Sequence, residues 1–294
     1  MRHPLLSRFS LCLMLALGGC QASLPPLPAW QSSEGLTHAE LGHIIDLASG
    51  QAISPEQLVQ RLAGAPRVLV GEKHDNPDHH ALQLWLLRAL QGQRVQGSLL
   101  LEMLQPEQQP LVDKVQGQPV PADLPKALAW QDGWDWQLYG PIVHEALQQR
   151  VPLLAANLSP GEMRQAYRQP ASLTGERSNA PPVKAALLEQ VRAGHCGMLP
   201  ENQLPAMLAV QQQRDRRMAE RLLSAPQPAL LFAGAYHVRK DLGIPLHLAD
   251  LGASGESKVL LLAEVGEQVE PGEADYVWYT AATPEQDYCA QFRQ

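Results

Sequence analysis

Five short apolar runs, at residues 67–70, 98–101, 151–155, 229–233 and 258–262, are spaced along the chain and separated by longer amphipathic or polar stretches. A continuous apolar run of this length suits a strand buried on both faces, and helices between such runs read as the crossovers of a parallel sheet. The predicted fold class is α/β: a mostly parallel sheet flanked by helices on both faces, with a smaller helical subdomain. The connections agree. Asn76 can cap a helix that opens on Pro77, with Leu82, Leu84, Trp85 and Leu87 supplying its apolar side. A second helix is predicted from Glu201 to about Leu223, rich in Ala, Gln, Arg, Met and Leu. Residues 106–136, dotted with proline and glycine, predict the smaller helical insertion, and 171–182 reads as an exposed loop.

The start of the chain follows another pattern. Arg2 and Arg8 precede an apolar stretch from Phe9 to Leu17, which ends in Gly18, Gly19 and Cys20. A basic start, a short apolar segment and small residues before a cysteine mark a lipoprotein export signal, too short to span a bilayer permanently. Residues 1–19 are the expected signal and Cys20 the expected lipidation site, so the protein is expected to be an outer-membrane lipoprotein exported to the periplasm or cell surface. Residues 20–33, with Pro25, Pro26 and Pro28, are expected to form an extended tether that holds the globule off the lipid. Residues 34–294 form one domain, large enough for a full hydrophobic core.

Charge narrows the partners. The full chain carries 23 Lys+Arg against 30 Asp+Glu, and loss of residues 1–19 leaves 21 against 30, a net charge of −9. Nucleic acid is not an expected partner. Of four cysteines, Cys196 and Cys289 remain once Cys12 leaves with the signal and Cys20 takes lipid. They either pair in an oxidising compartment or stay two small apolar side chains; spacing does not decide between these.

The chemistry gathers directly after the apolar runs. Glu72, His74, Asn76, His79 and His80 follow the first, Glu102 the second, Asn157 the third, and Tyr236, His237 and Arg239 the fourth. In an open parallel sheet, ligands bind beyond the carboxyl ends of the strands, so four segments deliver polar groups to one edge. Glu72 and His74 share a turn, while His79 and Gln83 share a helix face by their four-residue spacing. Such a set suits a divalent metal, although it is no H-E-x-x-H pattern, or it suits hydrogen bonding to a larger cofactor. The segment from Trp134 to Pro141 is aromatic in a chain with only 5% aromatic residues, which suits a flat ligand or the packing of the insertion. His195 and Cys196 occupy a small-residue turn that lacks a covalent haem-attachment sequence.

Together these motifs resemble the ChaN family of haem-binding lipoproteins. The resemblance rests on Gly71-Glu72-x-His74-Asp75-Asn76-Pro77-x-His79-His80, Glu102-Met103, Tyr139-x-Pro141, Ala155-Ala156-Asn157, Gly194-His195-Cys196-Gly197-Met198, the looser Gln212-x-x-Asp215-x-x-Met218-Ala219, and Gly234-x-x-His237-Val238-Arg239. It runs from about Gly42 to Pro245. It implies haem uptake at the outer membrane, a homodimer that encloses two face-to-face haems, an outer-membrane haem receptor as partner, and a tyrosine that ligates ferric iron. Tyr139 is the expected ligand, with Tyr236 and Tyr167 as fallbacks; at Tyr236 the family more often has a small residue. Ferric iron favours the phenolate, as would a neighbouring Arg or imidazole. Glu72, His74, Asn76, His79, His80, Glu102, His195, His237 and Arg239 are assigned to the pocket, Arg239 as partner of a propionate. The wider superfamily, with Tiki-type proteases and erythromycin-esterase-like proteins, implies an alternative: a metal-dependent or general-base hydrolase using Glu72, His74 and His237. No Gly-x-Ser-x-Gly turn is present.

Overall fold

A computed structural model describes residues 23–253 and 256–292; the export segment and Cys20 lie outside the described residues. In chain order the elements are β1 (Ile44–Asp46), β2 (Gln51–Ile53), α1 (Pro55–Ala63), β3 (Arg67–Glu72), α2 (Pro77–Gln91), β4 (Ser98–Leu101), α3 (Gln109–Val115), α4 (Leu124–Ala127), α5 (Trp136–Gln148) and β5 (Leu153–Ala155). They continue with α6 (Pro160–Arg168), α7 (Pro181–Gly194), α8 (Leu204–Ser224), β6 (Ala229–Gly234), α9 (Ala235–Val238), α10 (Ile244–Asp250), β7 (Ser257–Glu264) and β8 (Tyr276–Thr280).

All eight strands form one sheet in the order β2-β1-β8-β7-β3-β6-β4-β5. The six from β8 to β5 run parallel, and β1 joins antiparallel to both β8 and β2. The sheet is therefore mixed only at one edge.

Successive strand residues face opposite sides, so each apolar run feeds two cores. Val68, Val70, Leu99, Leu101, Leu230 and Phe232 join a core with α1, α2 and α5, whereas Leu69, Leu100, Leu231 and Leu261 join one with α8 and α10. This double burial is why the runs show no polar alternation. The short helices α3 and α4 fill the predicted insertion, and α8 is entered through a single 3-10 turn at Glu201–Gln203. Among the described residues no helix is long and apolar enough to cross a membrane.

The expected free tether is not what residues 23–33 form. Leu24 and Trp30 pack on the first core, and the Trp85 indole donates to the Pro25 carbonyl at 2.9 Å. The backbone amides of Gln31 and Ser32 donate to the Asp78 carboxylate at 2.6 and 3.0 Å. Apolar side chains interleaved with the prolines give this stretch something to bury, which a bare proline spacer lacks.

Cys196 and Cys289 are joined as a disulfide, with Cα atoms 5.7 Å apart. The bond fastens a C-terminal strap to the corner after α7. On its way the strap meets Lys73, whose ammonium donates to Thr283 Oγ1 at 2.8 Å, and Asp75, which accepts from the Tyr288 hydroxyl.

Candidate functional site

β3, β4 and β6 deliver Glu72, Glu102 and Gly234 to the centre of the carboxyl edge, where a cleft of about 700 Å³ opens. That volume falls within the range of small-molecule sites, roughly 300–1,000 Å³. Its walls combine Leu261, Leu262, Ala263 and Val269 with His74, Tyr236, His237 and Arg239. Close packing explains Gly71 beneath it: a Cβ there would lie 2.5 Å from Val238 Cγ2 and 2.8 Å from Ala235 Cα.

One half of the site centres on Glu72. Its Oε1 accepts from His74 Nδ1 at 2.6 Å and from the Tyr139 hydroxyl at 3.1 Å. Fixing Nδ1 in this way aims His74 Nε2 toward Gly234 and Glu102, where a Cβ on residue 234 would fall 3.0 Å from that nitrogen. Partial burial lowers the His74 pKa, but the hydrogen bond and charge of Glu72 outweigh it, and the net shift is upward. The His74 side chain is 45% exposed, the most open of the assigned histidines in the cleft. Trp134 packs edge-on to it at 4.9 Å.

Glu102 organises the other half. It is fully buried; Oε2 accepts from the Gly234 amide at 2.7 Å, while Oε1 meets the Arg214 guanidinium and stands 3.4 Å from His237 Nε2. His237 Nδ1 donates to Asp215 at 2.5 Å. Burial alone would make this imidazole neutral, but carboxylates on both sides raise its pKa to about 9. Burial would likewise raise Glu102, yet the charges of His237 and Arg214 hold it well below the usual carboxylate range. His237 is thus a standing cation at the cleft floor. Glu72 Oε2 and Asp215 Oδ2 accept no hydrogen bond within the described structure, so the site holds uncommitted acceptors.

The geometry sorts the assigned residues. Glu72, His74, His237 and Arg239 line the cleft and Glu102 supports them. Arg239 is already paired with Asp241 and Glu273, so a propionate would compete with two carboxylates.

Asn76 and His79 do not reach the cleft. Asn76 caps α2 and donates to Glu264 at 2.8 Å; His79 accepts from the Lys73 amide at 2.9 Å and faces Thr280. Burial holds His79 neutral, lowering its pKa to about 3. Both build the turn that presents His74. His80 is a backing residue: it donates to the His74 carbonyl at 3.0 Å and packs 4.4 Å from the Tyr139 ring. Its Nδ1 faces Gln83, so it is His80, not His79, that meets that amide. His195 lies outside the cleft, where its ring meets the Val191 carbonyl within α7.

The three tyrosines differ sharply. Tyr139 is 1% exposed; the expected imidazole is present, with His74 Nδ1 3.3 Å from its hydroxyl, but burial and the charges of Glu72 and Glu102 outweigh it and raise its pKa. Tyr167 donates to Gln203 on a separate surface. Tyr236 lines the cleft and is 53% exposed.

Arg214 and Asp215 are site residues that the sequence reading left without roles. They sit inside α8, more than a hundred positions from Glu102, and only the looser Gln212/Asp215 motif pointed toward them. Among the described residues no group of three or more His, Cys, Asp or Glu is arranged to hold a metal ion.

Fold and cleft define an α/β binding domain with a paired-histidine site at the carboxyl ends of a parallel sheet. The chain belongs to the family described as haem-binding uptake, Tiki superfamily, ChaN, whose model matches residues 58–248. A solved structure described as cofacial heme binding to ChaN of Campylobacter jejuni is 32% identical, with a TM-score of 0.75 over 80% of this chain and 95% of that one. A Bacillus cereus protein, 13% identical over 74% and 73%, and an erythromycin esterase variant, 12% identical over 90% and 86%, both give a TM-score of 0.45. No curated protein matches by sequence.

Proposed function

We propose that the cleft binds haem and that the protein is a lipid-anchored haem carrier serving iron uptake at the outer membrane. The observation that carries this reading is the cleft itself: an apolar wall beside His74, His237 and Arg239, in a chain of the ChaN family. A porphyrin needs an apolar face for its ring, and its carboxylates need cationic or donor groups. His237 offers a charge that survives to high pH.

The iron in this reading is ferric, and Tyr236 is the better-placed ligand. Its phenol lines the cleft and is half-exposed, whereas Tyr139 is buried, donates to Glu72, and would have to lose its proton against burial and the charges of Glu72 and Glu102, which outweigh the nearby His74 imidazole. The open cleft leaves one face of a bound porphyrin for a second copy of the chain, which agrees with the cofacial arrangement in the Campylobacter relative. An outer-membrane receptor would deliver or take the ligand, and Cys20 would carry the lipid.

Hemin titration of residues 21–294 tests the reading. Wild type and Tyr139→Phe should develop a ferric phenolate spectrum, and Tyr236→Phe should lose its ligand-to-metal band. Loss in Tyr139→Phe alone would return the role to the buried phenol, and no spectral change in wild type would end the haem reading. The Glu72–His74 pair, with Nε2 turned into the cleft, favours a general-base hydrolase as the second reading. Ester turnover abolished by His74→Ala would support it.

A further inference from the structure

The first described residues run down the outside of α2. Gln31 and Ser32 are pinned to Asp78 in its first turn, Pro25 is pinned to Trp85 two turns later, and Ser23 and Leu24 share a surface groove with Gln93 beyond its end. α2 starts after the last residue of β3 and ends before β4 begins, so its two ends mark opposite edges of the sheet. Its 15 residues span roughly 22 Å at 1.5 Å each. Docking of 23–33 therefore brings the chain start to the edge opposite the cleft.

Cys20 lies three residues before Ser23, a reach of at most ~10 Å. A free tether over 20–33 in a polyproline conformation would reach about 40 Å and let the domain turn in any direction. The docked segment removes that freedom. Nearby surface suits a bilayer: Val95 is 90% exposed and Leu27 51% exposed, and residues 91–97 contain no acidic side chain in a chain that carries 30.

We infer that the edge where the parallel strands begin, around Leu27 and the 92–97 loop, rests on a phospholipid surface, and that the cleft opens away from it. This rests on the proposed lipid at Cys20, and its partner is the membrane. A ligand would enter and leave on the aqueous side.

The test places a fluorophore at Val95→Cys or at Gln268→Cys beside the cleft, in the full lipidated protein bound to phosphatidylethanolamine/phosphatidylglycerol vesicles with spin-labelled headgroups. The disulfide and the lipidated Cys20 leave one reactive thiol in each. The Val95 probe should lose most of its emission and the Gln268 probe should keep it. Ten Gly/Ser residues inserted between Ala22 and Ser23 add a reach of about 18 Å and should make the two probes alike. Equal quenching without the insert, or stronger quenching at Gln268, overturns the orientation while leaving the anchor intact. Flotation of Cys20→Ala protein with vesicles, as efficient as wild type, instead shows that the anchor reading is wrong, and the orientation falls with it.

Discussion

Replacing Asp215 by asparagine should turn His237 from a standing cation into a group that titrates near neutrality. The two carboxylates that flank the ring, 2.5 Å from Nδ1 and 3.4 Å from Nε2, lift it from 6.5 to about 9 against the cost of burial. Unit charges about 4 Å apart at an effective dielectric near 20 interact by ~4 kcal/mol, or ~3 pKa units. Removal of one carboxylate should therefore bring His237 to roughly 6, while the asparagine oxygen still accepts from Nδ1.

Stability reports the same change. A folded pKa raised from 6.5 to about 9 gives ~3 kcal/mol that is complete below pH 6.5 and is lost as pH rises through 9. Urea unfolding of wild type should weaken by that order between pH 6.5 and 9.5, and Asp215→Asn should show a much smaller loss. His74, also raised, contributes with the same sign in both proteins and feels the His237 charge, so the stability difference reports the coupled pair and the imidazole resonance assigns it to His237. Nitrogen-15 NMR of histidine-labelled protein reads the imidazole directly. An Asp215→Asn protein whose His237 remains protonated at pH 8.5, or whose stability falls with pH as steeply as wild type, would refute the charge sandwich.

Two further outcomes follow from packing and covalent structure. The disulfide links residues 93 apart, and by chain entropy its loss in Cys289→Ser should cost about 4–5 kcal/mol, measured as a lower urea midpoint; an unchanged midpoint contradicts a role in stability. Gly243→Ala would set a Cβ 2.0 Å from the His237 carbonyl oxygen, so thermal melting and the His237 resonance should both shift, whereas Gly50→Ala, strained but in open space, should leave that resonance in place.

The parallel core was legible because strands buried on both faces must be apolar throughout, and Gly71-Glu72, Glu102 and Gly234 stand out where the apolar runs end. The 276–280 strand, Tyr-Val-Trp-Tyr-Thr, carried a readable β signal, whereas 44–46 and 51–53 are too short to show a period. Arg214 and Asp215 were hidden for a different reason. On a helix rich in Gln and Arg they look like solvent-facing charges, and only the passage of α8 beside Glu102 and His237 buries Asp215 and half-buries Arg214. Adjacency misled in the other direction at His79. Five residues after His74, in the first turn of α2, its buried ring meets the Lys73 amide and Thr280.

The clasp between Cys196 and Cys289 has a consequence for how the molecule matures. Reducing surroundings keep thiols apart, so closure of the rim beside Asp75 depends on an oxidising environment. Both cores are built from residues before 282, so the cross-link lies outside them. Reduction would therefore release the strap beside Lys73 and Asp75 while leaving the residues of both cores in place.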